Sequence, residues 1–191
     1  LEQKGNICNV PYDHGAPVET WWDIGVDDYT AIWFTQSYGK EIHIIDFYQS
    51  NNKGLDHYAK VLQSKNYVYK AHNFPHDMVN VEFGTGRTRL EIISKLSKEE
   101  GRNAVRVVLP TCKFDKVKCK EGLDSMKNYR KVWDEKNQTF KDDDVRDWAK
   151  HAADAFRYLA VGITLPRTRS YRNEFMKNKA KAISTKNWKT A

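Results

Sequence analysis

An α/β domain, a mixed β-sheet with helices packed on it, is the fold class this sequence predicts. Three apolar runs follow one another closely at residues 18–25, 29–36 and 41–48, rich in Ile, Trp, Phe and Thr as strands are. An amphipathic pattern in "GLDHYAKVLQ" and a fourth short run, "YVYKAH", come next. The second half carries helical periodicity. The order β-β-β-α-β, then helices, is that of a mixed sheet covered by helices.

Each element has its own warrant. Pro11, Gly15 and Pro17 make residues 1–17 an irregular lead-in. "SYGKE" reads as a hairpin turn, so the first three strands form an antiparallel meander. Leu55, Tyr58, Ala59 and Leu62 fall at i, i+3, i+4 and i+7, the stripe of a buried helix face. "YVYKAH" is a strand that must return alongside the sheet. "RTRLEIISKL" reads as a helix, and "SKEEGRNAVRVVLP" as another that stops at Pro110. "DKVKCKEGLDSMKNYRKVWDE" predicts one long helix with Leu123, Met126, Tyr129 and Trp133 inward. "VRDWAKHAADAFRYLAVG" predicts the last, with Gly162 as its stop.

The 191 residues fit one domain, and 40% hydrophobic content with six Trp and ten Tyr is enough for a core. No apolar run approaches membrane-spanning length, so a membrane role is not expected. The sequence opens on Leu1, which suggests an excised piece of a longer polypeptide. Cys8, Cys112 and Cys119 do not make a disulfide framework. Cys112 and Cys119, seven apart on an expected helical stretch, read as small apolar side chains on one face, and no further ligands at zinc spacing lie near. No phosphate-binding GxxxxGK[ST] loop is present, so ATP binding by this segment has no support.

The net charge of +7 is concentrated at one end. Residues 165–191 hold eight Lys and Arg against one acid, and the rest of the chain is balanced. The division is therefore a domain over residues 1–162 and a basic tail over 163–191. Basic tails bind nucleic acid or acidic partners, although a solvated terminus has the same composition.

Four acids stand where acids are costly. Asp23 interrupts Val18, Trp21, Trp22 and Ile24 on the first strand. Asp46 shares the expected face of Ile42 and Ile44 on the third. Asp77 follows the fourth strand and Pro75. Asp154 lies on the last helix, on a stripe with Asp147, His151 and Tyr158 beside the apolar stripe of Trp148, Ala152, Ala155, Phe156 and Leu159. Asp27, Asp28 and Asp142 to Asp144 read as ordinary turn or solvated acids. Clustered carboxylates need a counter-charge, and a hard divalent cation is the usual one. Two such ions ~3.5–4 Å apart can activate water and stabilise the leaving oxygen of a phosphodiester.

The segments "VPYD", "WDIGVDDYTAIWF", "IHIIDFY", "LDHYAKVL", "PHD", "TGRTRLE", "GLDSMKNYR" and "HAADAFRYLAVG" resemble the nuclease domain of tailed-bacteriophage terminase large subunits. The resemblance runs from about Val10 to Gly162. It implies a ribonuclease H-like fold, with Asp23, Asp77 and Asp154 as catalytic metal-binding acids and Asp46 as a further ligand. His151, near the site, and Asp147, a rival to Asp154, are possible accessories. It also implies a Mg²⁺- or Mn²⁺-dependent endonuclease, with two ions, that cuts concatemeric double-stranded DNA during genome packaging in the host cell cytoplasm. The implied partners are an ATPase domain of the same polypeptide, a small terminase subunit and the portal protein. DNA or partner contacts are expected from Arg167, Arg169, Arg172, Lys177, Lys179 and Lys181. The fold also needs a fifth strand after the fourth. None is evident in "KLSKEEGRNAVRVV", so extra apolar residues are expected near Leu96 and Ser97. Two other readings stand beside this one: another ribonuclease H-like nuclease, such as a junction resolvase or an RNA–DNA hybrid nuclease, and a non-catalytic DNA- or portal-docking module.

Overall fold

The computed structural model of the chain describes residues 5–25, 28–76, 88–94, 96–145 and 147–165. Asp77, the "TGRTR" segment up to residue 87, and the six basic tail residues lie outside them. Among the described residues there are nine strands and four α-helices. In chain order these are β1 (Ile7–Cys8), β2 (Val18–Asp23), β3 (Tyr29–Tyr38), β4 (Glu41–Asn51), α1 (Leu55–Ser64), β5 (Tyr69–Pro75), β6 (Arg89–Ile93), α2 (Lys98–Val108), β7 (Cys112–Asp115), α3 (Lys120–Asn128), β8 (Lys131–Asp134), β9 (Thr139–Asp144) and α4 (Trp148–Thr164). Seven strands form a mixed sheet in the order β1-β7-β4-β3-β2-β5-β6. β2, β3 and β4 are the expected antiparallel meander, and β5 runs parallel to β2. β3 alone opposes the other six. The C-terminal ends of β2, β4, β5, β6 and β7 therefore share one edge of the sheet.

Strand alternation sorts the core into two layers. One face packs Trp21, Ala31, Trp33, Ile44 and Phe47 under Leu123 of α3 and Ala152, Ala155, Phe156 and Leu159 of α4. The other packs Trp22, Ile32, Phe34 and Ile45 against Tyr58 and Leu62 of α1. The indole N–H of Trp33 donates to the Ala152 carbonyl at 2.9 Å, which ties α4 to the middle of the sheet.

Six expectations are corrected. "RLEII" is strand β6, not helix: it pairs parallel with β5, placing Leu90 and Ile92 toward the α1 layer and Ile93 toward the α4 layer. Period-two burial and two β-branched residues suit a strand. This is the strand expected to be missing, so no extra residues near Leu96 are needed to supply it. Ser97 instead caps α2, in a capping box with Glu100.

The expected long helix over 115–135 is only α3. It is preceded by β7 and followed by the β8–β9 hairpin, where Trp133 and Phe140 pair with ring centroids 4.8 Å apart. Cys112 and Cys119 accordingly share no helix face. Cys112 opens β7 and Cys119 caps α3, both buried and free, with burial pushing the Cys112 thiol up to about 12.

Gly162 does not stop α4, which runs on to Thr164. A Cβ at Gly162 would come within 2.3 Å of the Trp21 ring and 2.8 Å of Ile93, so glycine there lets the helix lie on the sheet.

Finally, Asp46 is not on the face of Ile42 and Ile44. The β3–β4 register slips at Ile45: Thr35 pairs with Ile44 but Phe34 with Asp46. The bulge turns Asp46 to the α1 side of the sheet.

Candidate active site

Asp23 ends β2 at the shared edge, on the face covered by α4. His151, in the first turns of α4, reaches down to it, with Nδ1 2.9 Å from Asp23 Oδ2. The other ring nitrogen, Nε2, lies 2.9 Å from Oδ2 of Asp28, in the turn between β2 and β3. An imidazole facing carboxylates at both nitrogens is best satisfied as a cation donating twice. Burial works against that charge, but Asp23 and then Asp28 outweigh it and raise the His151 pKa. Asp28 is held below the usual carboxylate range: burial raises it, but the Tyr29 N–H and His151 outweigh that.

One turn on, Asp154 is 6% exposed. Burial pushes its carboxyl up to about 6, opposed by Arg157 and reinforced by the charge of Asp23. Arg157 Nη2 lies 2.9 Å from Asp154 Oδ1, and Lys150 Nζ lies 3.8 Å from Oδ2. Asp144, at the end of β9, also raises Asp154. The Asp144 carboxylate is fully buried, beside Lys98 at 3.4 Å, and after burial it is the neighbour that most raises the Tyr129 hydroxyl pKa.

The edge thus gathers Asp23, Asp28, His151 and Asp154, with Asp144 behind. Among the described residues, no group of three or more His, Cys, Asp or Glu side chains is arranged to hold a metal ion. Asp23 and Asp154 nevertheless fit one in chemistry. They are hard oxygen donors, and the charge of one disfavours ionisation of the other, which a cation would relieve.

Two expected residues stand elsewhere. Asp46 is buried against Lys65 Nζ at 2.6 Å and Tyr67 at 3.1 Å, and accepts the Phe47 N–H at 2.8 Å. It pairs with Phe34, which pairs with Thr20, three residues before Asp23. That is ~10 Å along the strand direction, on the opposite face of the sheet. Asp147 is not on an inward stripe. It is the N-cap of α4, accepting the Ala149 N–H at 3.1 Å and pairing with Arg130 at 3.2 Å.

The same architecture recurs in solved structures. The large terminase of a thermophilic bacteriophage, in complex with ADP, superposes with a TM-score of 0.68 at 18% identity, over 87% of this chain and 44% of that one. The nuclease domain of the bacteriophage SPP1 large terminase with bound Mn gives 0.56 at 17%, over 78% and 86%. The P22 large terminase nuclease domain gives 0.58 at 17%, over 88% and 92%. The chain has the fold of a large-terminase nuclease domain. It spans less than half the length of the thermophilic-phage large terminase it matches. No protein-family model matches the sequence, and no curated protein matches it with significance.

Within this terminase-nuclease fold, several charged residues at the edge escape a reading of the sequence. Asp28 reads as a turn former until α4 brings His151 to it. Asp144 reads as one of three solvated acids, but hairpin alternation buries it while Asp143 stays exposed and pairs with Lys98. Arg157 carries a sequence signal, since it lies three residues after Asp154 on a helix, where side chains meet. Among the described residues no helix is long and apolar enough to cross a membrane.

Proposed function

We propose that this chain is the nuclease portion of a viral DNA-packaging protein, a divalent-metal-dependent endonuclease that cuts concatemeric double-stranded DNA. The observation that carries this is the placement of Asp23, at the end of β2 under His151, and of the buried Asp154, one turn further along α4, at the C-terminal edge of a sheet with the terminase-nuclease topology. The SPP1 domain of this fold has bound Mn. Asp23 and Asp154, with Asp77 from outside the described residues, would hold Mg²⁺ or Mn²⁺, in two sites by this reading. Bound there, the metal supplies Lewis-acid stabilisation of phosphate charge and a more acidic water. The chain's own contributions are distinct. Asp23 and Asp154 present oxygens, and His151 fixes Asp23 and anchors the β2–β3 turn through Asp28. Purified protein should nick and linearise plasmid in Mn²⁺ or Mg²⁺ and stop on addition of EDTA. Cutting that persists through exhaustive chelation would remove the metal reading.

Duplex DNA is the substrate, and residues 163–191 supply part of its binding. An ATPase domain on the same polypeptide, a small terminase subunit and a portal are the partners this role calls for. Truncation after Thr164, where α4 ends, is expected to leave the domain folded and to weaken DNA binding. Arg167, Arg169, Arg172, Lys177, Lys179 and Lys181 are the phosphate-binding candidates. Neutralising any one that touches a phosphate should flatten the log K against log[salt] slope by ~0.9. An unchanged slope, measured by fluorescence anisotropy across a salt series, would assign the tail to another task.

A further inference from the structure

α2 carries a glycine in its interior, where glycine costs about 1 kcal/mol relative to alanine. Gly101 is buried, and a Cβ there would meet Arg157 Cδ at 2.5 Å and Cγ at 2.7 Å. The residue is thus a notch through which the stem of Arg157 crosses from α4 onto α2. Beyond the notch, the guanidinium turns back to its own helix and reaches Asp154 Oδ1 at 2.9 Å. An arginine that merely solvated its charge would need no such slot. Asp154 Oδ2 has only Lys150 beside it among the ion pairs of the described residues, at 3.8 Å, outside hydrogen-bond reach. The two oxygens therefore differ: one is ion-paired at close range with a guanidinium, and the other is left for a further cation.

We propose that Arg157, seated in the Gly101 notch, is a positioning residue that fixes the Asp154 carboxylate so that Oδ2 is presented to the divalent cation. The inference rests on the metal reading above and adds a task for the α2–α4 contact. Outer partners that orient ligand side chains are worth roughly 10–100-fold in metal affinity. Arg157 acts through Asp154 and need not touch DNA.

The test is Mn²⁺ titration of the full chain, followed by loss of the free-Mn²⁺ electron paramagnetic resonance signal, with melting of the metal-free proteins alongside. Arg157→Gln is expected to weaken Mn²⁺ binding by roughly 10–100-fold. Gly101→Ala, which keeps the arginine but closes its slot, should weaken it in the same direction. The double variant should be no weaker than Arg157→Gln, because both changes remove one interaction. A purely structural role would lower the metal-free melting temperature and leave Mn²⁺ affinity below the transition unchanged. Either single variant binding Mn²⁺ as the parent does, or effects that add in the double variant, would overturn the proposal. If Arg157→Gln fails to fold, Gly101→Ala decides it. A parent chain that takes up no Mn²⁺ brings down the metal reading itself, and this inference with it.

Discussion

Asp23→Asn and Asp154→Asn should each leave a folded protein that has lost Mn²⁺ binding and plasmid cutting by more than about 100-fold, beyond what outer-shell changes cost. Both side chains are shape-matched by asparagine, so packing under α4 is retained and the lost quantity is charge. The two variants should differ without metal. Asp154 has a folded pKa of about 6 against an ordinary 3.8, raised first by burial and then by Asp23. A group that holds its proton more tightly when folded contributes stability that is present below its unfolded pKa and lost as pH rises through the folded one. Metal-free protein should therefore lose stability between pH ~4 and ~7, by up to roughly 3 kcal/mol from this group. His151 adds to the same trend, because its pKa is also raised and its contribution fades above the ordinary imidazole range. Asp154→Asn has no proton to lose there and should melt with a flatter pH profile in EDTA. Metal binding runs the other way. Protons compete for Asp154, so Mn²⁺ affinity should climb from about pH 5 to about pH 7. A metal-free Asp154→Asn protein with the parent's pH slope would remove the assignment of the raised pKa to Asp154. Full cutting by Asp23→Asn would end the metal reading.

The parts of this molecule that are legible in the sequence are those fixed by local pattern. Residues 18–48 alternate and are β-branched or aromatic, so the meander reads directly. α1 shows a clean i, i+3, i+4, i+7 stripe. β6 reads as helix because Leu90 and Ile93 also fit a helical spacing, and a run of five residues is too short to separate the two periods. β7 is four residues between two helices, too short to announce itself. β8 and β9 vanish into an apparent helix because what marks them is cross-strand. The Trp133–Phe140 pair and the turn at Gln138, with φ of 50°, exist only once the hairpin closes. The same divide runs through the site. Asp23, His151 and Asp154 are visible as acids and a histidine on otherwise apolar elements. Arg157 and Gly101 act together only because α2 packs on α4, a tertiary fact that no spacing along the chain encodes. Asp46 shows the opposite failure, in which the alternation rule runs through a bulge that reverses it.

Asp46→Asn is accordingly expected to damage the fold and spare the metal centre. Asp46 and Lys65 meet at 2.6 Å, with side chains 5% and 25% exposed. Removing one partner of a buried pair costs about 3–5 kcal/mol, and Lys65, being partly exposed, can rehydrate, so the expected loss is nearer ~2–3 kcal/mol. Asparagine can still accept the Phe47 N–H, but its amide can direct N–H groups at the Lys65 ammonium. Lys65→Met in the same chain should recover part of the loss, since it removes the stranded charge and leaves an apolar stem over Phe34, where the ammonium now lies 5.5 Å from the ring centroid. For a domain of this size the single change amounts to a drop of roughly 5–10 °C in melting temperature. Mn²⁺ affinity measured well below that transition should stay within about twofold of the parent, because Asp46 lies ~10 Å along the strand direction from Asp23 and across the sheet. Loss of Mn²⁺ binding at unchanged melting temperature would return Asp46 to the metal centre and would require the edge of β4 to rearrange when metal binds.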